Sequence, residues 1–337
     1  MRQHYTAWTD EMWRRIEEKM HTVVCRNPGI IPYTTDENGR YIDRYAASPA
    51  FWTNGFWPGI LWYLYQETGD ELYRREAEQA EEKLDCLLTL EKGGDAIDHD
   101  VGFLWHLSAG ANGPERQGWS IIDTMMNLPL LYRTAEQTGY TRYARAAQAH
   151  ADHTMQYMLR PDGSSAHVAV YDPVDGHLLH WLAGQGAAPD SVWSRGQGWA
   201  VYGFALSYRY TRKPEYLQAA RRAAVYVEAA LQRTGWVPHS DFCGDKPLLD
   251  ATAGAILANG MLELAEHLPE EAEHWQESAF HILTALESCC DWNLAHDAIL
   301  QNCSERYTDE KQMTILYGDY FLMEAVLRLK GGAKLLW

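Results

Sequence analysis

Long apolar runs are missing from this sequence. No stretch of about 18 apolar residues occurs, which excludes a membrane-spanning helix. The opening stretch MRQHYTAWTDEMWRRIEEKM has no apolar core of signal-peptide length, so a cytoplasmic protein is expected. Basic clusters are missing too. Lysine and arginine number 29 against 46 acidic residues, for a formal net charge of −17. With no polybasic run, neither nucleic acid nor a membrane surface is expected as a partner. The total does not exclude an anionic substrate, because charge inside a pocket decides that. Cysteine is sparse and unpatterned. Cys25, Cys86, Cys243, Cys289, Cys290 and Cys303 form no CxxC or other metal-ligand spacing, and they read as reduced thiols. Strand patterns are scarce, and HVAVYD (167–172) is a short candidate between helical segments.

The aromatics are abundant: 14 Trp and 20 Tyr stand beside 7 Phe. Such rings fill cores, and their faces also stack on sugars. The chain has 337 residues, 46% of them hydrophobic, enough for a large core in one big domain or two ordinary ones. Three segments repeat a pattern: 67–84, 137–155 and 210–227. Each opens on a threonine (Thr68, Thr138, Thr211), with a tyrosine five residues on (Tyr73, Tyr143, Tyr216) and an alanine nine residues on (Ala77, Ala147, Ala220). Each is amphipathic and follows a more apolar segment: 55–66, 121–135 and 196–210. A weaker fourth pair is 250–268 and 270–290. Apolar helices alternating with amphipathic ones imply inner and outer helices in a ring. Open solenoids have short, uniform linkers. Here long loops rich in Gly, Trp and His precede the inner helices, which favours an all-α toroid, one domain over 1–337, whose loops build a central pocket.

Those loops carry the candidate chemistry. They place Trp52, His99, Asp100, Asp123, His167, Gln185, Trp193, Arg195 and Trp199 at the starts of successive inner helices. Other readings exist for several of them. Asp98, His99 and Asp100 suit an N-cap cluster. Trp193 and Trp199 suit ordinary core. His150 and His153 fall on an outer helix and read as surface residues. GQG (184–186) is too short to cradle a phosphate. Asp123 is harder to dismiss. It lies inside GWSIIDTMMNLPLLYRTA (118–135), which reads as a buried helix. A carboxyl buried at the pocket end of that helix would be pushed toward its protonated form, as a general acid requires.

WTNGFWPGILW, DHDVGFLW, IIDTMMNLPLL, SSAHVAVYDPVDG, WSRGQGWAVYGFALSYRYT and YGDYFLMEAVLRL occur in this order between about residues 50 and 329. In these motifs the chain resembles the unsaturated glucuronyl hydrolases, glycoside hydrolase family 88. The resemblance implies an (α/α)6 barrel with no metal or organic cofactor. It implies a substrate too, an oligosaccharide ending in the 4,5-unsaturated uronate that polysaccharide lyases leave. The implied reaction protonates the vinyl ether at C4 and adds water at C5; the resulting hemiketal opens and expels the neighbouring sugar. The resemblance makes Asp123 the general acid/base. Asp100 would orient the substrate and stabilise oxocarbenium character. His167 would sit beside the ring. Gln185, Trp193, Arg195 and Trp199 would line the uronate subsite, completed by Trp52 and His99, with Arg195 facing the substrate carboxylate.

Two departures stand out. Gly184 occupies the place where a histidine commonly precedes the glutamine. The run LWHLSAGANGPERQGWS between the second and third motifs is short for an outer helix, so one outer helix is expected to be missing. The apolar faces this leaves need cover, which a homodimer through Leu104 to Trp119 would supply. The N-terminal helix, near residues 5–22, is the alternative cover. Other readings of the whole chain are the neighbouring unsaturated rhamnogalacturonyl hydrolases, and a sugar isomerase or sugar-binding protein on a similar toroid. The pairing of Asp123 with Asp100, in place of a histidine pair, argues against the isomerase.

Overall fold

The threonine of the sequence repeat closes a helical hairpin. The computed structural model describes residues 2–89, 118–309, 311–331 and 336–337, with side chains described from Tyr5 and omitted for 86–89. Thr68 ends helix α2 (Phe56–Thr68). Its hydroxyl donates to Leu64 O at 2.7 Å and accepts from Asp70 N at 3.1 Å. Gly69 between them has φ 68°, the left-handed conformation glycine adopts without strain. Helix α3 (Glu71–Thr89) follows at once. Thr138, with Gly139, makes the same clamp between α4 (Leu128–Thr138) and α5 (Thr141–Tyr157). Thr211, with Arg212 at φ 56°, makes it between α6 (Ser194–Thr211) and α7 (Pro214–Leu231). Each threonine thus ends an inner helix. The alanines Ala77, Ala147 and Ala220 are fully buried on the outer helices, small enough for close helix contact.

Helices α8 (Ala251–His267) and α9 (Ala272–Leu286) form a further hairpin, and α10 (Leu316–Lys330) is covered by α1 (Arg2–Arg26). The inner helices α4, α6, α8, α10 and α2 contact one another in that order round a ring. Of these, α6, α8 and α10 are buried on nearly all sides, whereas α4 buries only Leu128, Pro129 and Tyr132 and the outer helices bury one stripe. The architecture is the expected α/α toroid. The remaining place in the ring falls between α2 and α4. The expected missing outer helix, the proposed dimer contact, His99 and Asp100 all fall within 90–119, of which only Gly118 and Trp119 are among the described residues.

Two small sheets lie among the described residues. Strands β1 (Pro32–Thr35) and β2 (Tyr41–Asp43) form a hairpin. Strands β3 (Trp119–Ile121), β4 (Val168–Tyr171) and β5 (Leu178–Leu182) form an antiparallel sheet with β4 central. The expected strand at 167–172 is present as β4. The expected helix over 118–135 is not one helix. Residues 119–121 pair with β4, Ile122–Met126 form a 3-10 turn, and α4 starts only at Leu128. Pro129 in the first turn of α4 explains the boundary: it has no N–H to donate to an earlier turn. His150 and His153 are also more enclosed than a surface reading allows. Burial pushes the His150 imidazole down to about 4, and His153 packs against Tyr157 and Tyr171.

At the C-terminal ends of the inner helices Glu263 is completely buried. It accepts from Arg209 Nε at 2.6 Å and Nη2 at 2.7 Å, from Arg328 Nη2 at 2.7 Å, and pairs with His267 Nε2 at 2.9 Å. Burial alone would raise its pKa. The His267 hydrogen bond and the charges of Arg328 and Arg209 outweigh that and hold it well below the ordinary glutamate range. Its folded value is depressed, so its contribution is complete above the ordinary glutamate range and is lost as pH falls below it. Glu263→Gln strips the shared partner from buried cations and should cost about 3–5 kcal/mol in urea unfolding. A loss below about 1 kcal/mol would show that the network contributes little.

Candidate active site

The N-terminal ends of α2, α4, α6 and α10 meet at one pocket, with about 500 Å³ of empty space that opens to solvent. Trp52 comes from the 3-10 turn before α2, Asp123 from the turn before α4, Arg195 and Trp199 from the start of α6, and Tyr317 from the start of α10. Helix N-termini carry partial positive charge, so a mouth built from several of them favours an anionic ligand.

Asp123 is set by the β3–β4 register. Ile121 pairs with Val168, and Ile122 N donates to His167 O at 3.0 Å, so the next residues of the two chains lie side by side. His167 Nε2 stands 3.4 Å from Asp123 Oδ1. Asp123 is 8% exposed, and its Oδ1 is buried with no hydrogen-bond partner. A buried carboxylate oxygen is costly without a partner, and the group set against this one is the His167 imidazole. The His167 ring lies against Trp193, centroids 4.2 Å apart. On its far side Gln185 N donates to His167 Nδ1 at 2.9 Å. An Nδ1 that accepts puts the imidazole proton on Nε2, toward Asp123. Ala183 O, 3.2 Å from the same Nδ1, is the weaker contact.

Gly184 explains the first departure. Its φ is +57°, and a Cβ there would stand 2.3 Å from His167 Nδ1 and 2.6 Å from Cε1. The backbone conformation favours glycine, and the imidazole leaves no room for a Cβ.

Arg195 is 1% exposed. Its Nη2 donates to Ser304 O at 2.8 Å and Glu305 O at 2.6 Å, and its Nη1 lies 3.7 Å from Asp250 Oδ2. Nε and Nη1 make no hydrogen bond. The guanidinium lies over Trp193 and Tyr317, 4.8 Å and 5.6 Å from the ring centroids. Burial would lower its pKa, but Asp250 and, to a lesser degree, Tyr317 keep it above the ordinary arginine value. Gln185 also faces the 304–307 loop: its Nε2 donates to Glu305 O at 2.8 Å, and its O accepts from Tyr307 N at 2.9 Å.

Trp52, Asp123, Gln185, Trp193, Arg195 and Trp199 all line this pocket, and His167 backs it. His99 and Asp100 lie outside the described residues. Sequence reasoning missed Tyr33, Ile121, Glu305 and Tyr317. Tyr317 opens the quoted YGDYFLMEAVLRL motif and sits in the first turn of an inner helix, the same rule that found Arg195. Tyr33 and Glu305 gave no signal, because they reach the pocket through a hairpin and a loop. Among the described residues, Asp172, Asp175 and His177 could together hold a metal ion, and none of them lines the pocket.

An all-helical toroid whose central pocket sets a buried carboxylate and an arginine among tryptophans has the build of a carbohydrate-active hydrolase. The chain belongs to glycosyl hydrolase family 88, whose model matches residues 57–286. It is 32% identical to the unsaturated glucuronyl hydrolase of Bacillus sp. (strain GL1) over 359 aligned positions, covering 91% of this chain and 92% of that one. The crystal structure of unsaturated glucuronyl hydrolase from Bacillus sp. GL1, responsible for the degradation of glycosaminoglycan, superposes with a TM-score of 0.87 at 30% identity, over 95% of this chain and 97% of that one. A structure with dGlcA-Glc-Rha-Glc superposes with a TM-score of 0.86, also at 30% identity, over 95% of this chain and 97% of that one.

Gly184→Ala should push the imidazole away from Asp123 and cut turnover at least tenfold, with the helical circular dichroism retained. Turnover within twofold of the parent would show that the loop yields without moving His167.

Proposed function

We propose that this protein removes a 4,5-unsaturated uronic acid from the non-reducing end of lyase-generated oligosaccharides by hydrating the double bond. The observation that carries this reading is the buried carboxyl of Asp123, held beside His167 in the wall of a pocket that also holds Arg195, whose guanidinium lies over Trp193 and Tyr317. The family membership and the relatives' activity support it. Asp123 donates a proton to C4 of the vinyl ether. Positive charge then develops at C5 and the ring oxygen, and Asp100 is assigned to stabilise it. Asp123, now a carboxylate, takes a proton from water as its oxygen bonds to C5. The product is a hemiketal, which opens and releases the uronate from the next sugar. Atoms balance: one water is consumed, the C4–C5 double bond becomes single, and the glycosidic oxygen leaves with the next sugar.

The remaining site residues fit supporting roles. His167, with its proton on Nε2, fixes the Asp123 carboxyl. Arg195 and the helix N-termini attract the uronate carboxylate. Trp52, Trp193 and Trp199 offer faces for the sugar ring. Gln185 shapes the pocket through its hold on Glu305, and His99 is placed at the same subsite by the family pattern alone. The usual carboxylate-separation rule for retaining and inverting glycosidases does not apply, because the anomeric carbon is not attacked.

Asp123→Asn keeps the shape and removes the proton donor. Turnover, followed as loss of the ultraviolet absorbance of lyase-generated disaccharides, should fall roughly 10²–10⁴-fold with folding intact. Near-parental activity would overturn the assignment. Saturated disaccharides should not be cleaved; equal rates on both would replace hydration with ordinary glycoside hydrolysis.

The homodimer through Leu104 to Trp119 belongs to the same proposal. Light scattering should give a dimer mass that Leu107→Glu reduces; a monomer unaffected by that change would refute it.

A further inference from the structure

Asp250 stands one shell behind the pocket, and the reaction as described gives it no part. It is the N-cap of α8, where its Oδ1 accepts from Ala253 N at 3.3 Å. It is completely buried, and its Oδ2 has no hydrogen-bond partner. That oxygen points at Arg195 Nη1, 3.7 Å away. Arg195 is held on the same side by Ser304 O and Glu305 O. The cation is therefore tied back by one buried carboxylate and two carbonyls, with its Nε unpaired.

A full positive charge this deep acts strongly on its surroundings, since little water screens it. Without Asp250, its field would fall on the other carboxylates of the pocket, and Asp123 is the one that must carry a proton. A nearby cation favours the ionised form of a carboxyl. Among the described residues, His167 stands at the side of Asp123, and the titratable or charged groups that share its pocket are Arg195 from α6, Tyr33 from β1, Tyr317 from α10 and Glu305 from the 304–307 loop. Of these, Arg195 is the permanent cation, and Asp250 is the carboxylate that sits against it.

We propose that Asp250 is a positioning residue that holds the Arg195 charge back from Asp123, leaving Asp123 able to keep the proton it donates. The inference rests on the reading of Asp123 as the general acid. It divides two demands on one pocket. The uronate must meet a cation, and the acid must not be ionised by that cation.

Asp250→Asn tests this, because asparagine caps a helix as well as aspartate does and changes only the charge. The readout is the pH dependence of kcat/KM on an unsaturated disaccharide. A general acid is active while protonated, so activity is lost on the alkaline limb. With the Arg195 field released onto Asp123, that limb should move to lower pH by about 0.5–1 unit. A purely structural lesion would lower the plateau and leave the limb where it is. Asp250→Ser, which also caps, should shift the limb in the same direction and guards against a folding failure of the first variant. A limb that stays in place or moves upward overturns the inference. If Asp123→Asn is inactive while the limb of the Asp250 variants is unmoved, only this inference fails. If Asp123→Asn is fully active, the reading beneath it fails as well.

Discussion

The pairing of Ile121 with Val168 is the contact on which the pocket depends. Antiparallel register fixes what stands opposite what, and a slip of one residue would send every side chain to the other face. Here it brings Asp123 beside His167 just where β3 gives way to the turn before α4. Pro129 then starts the helix late and leaves Asp123 in a tight turn at the pocket wall. Gly184 and Gln185 complete the arrangement from the next loop, one by lacking a Cβ and the other by donating its N–H to Nδ1. Three chain segments thus define one carboxyl and one imidazole with little room to adjust.

The toroid supplies the electrostatic setting. Its inner helices start at the pocket and end at the far side of the ring. Their positive ends face the substrate, and the cations Arg209 and Arg328 sit in the last turns, where helix dipoles favour them. Glu263 balances those cations in the core. The same logic recurs at the pocket, where Asp250 answers Arg195. A chain of net charge −17 can therefore receive an anion, because the charges that matter are buried, paired and directed.

Much of this was legible in the sequence, for physical reasons that differ by element. The hairpins were readable because an inner helix buried all round and an outer helix buried on one stripe have different compositions. The Thr68, Thr138 and Thr211 repeat marked the joints, although each threonine closes the preceding helix and does not open the next. The pocket residues on inner helices followed from position, as Trp199 and Arg195 illustrate. The split of 118–135 was not readable, since a strand of three residues leaves no periodicity and its partner lies almost fifty positions away. Tyr33 and Glu305 escaped for the same reason: only tertiary packing brings them to the pocket. Gly184 looked like a missing histidine, and only the position of His167 shows why nothing larger fits.

The central claim is that water adds across the double bond and the anomeric carbon is not attacked. Turnover of an unsaturated disaccharide in D2O, followed by nuclear magnetic resonance, tests it most directly. The account predicts one deuterium per released uronate, delivered to a single face of C4. Release of the uronate with the double bond still in place, or with deuterium spread equally over both faces of C4, would contradict it.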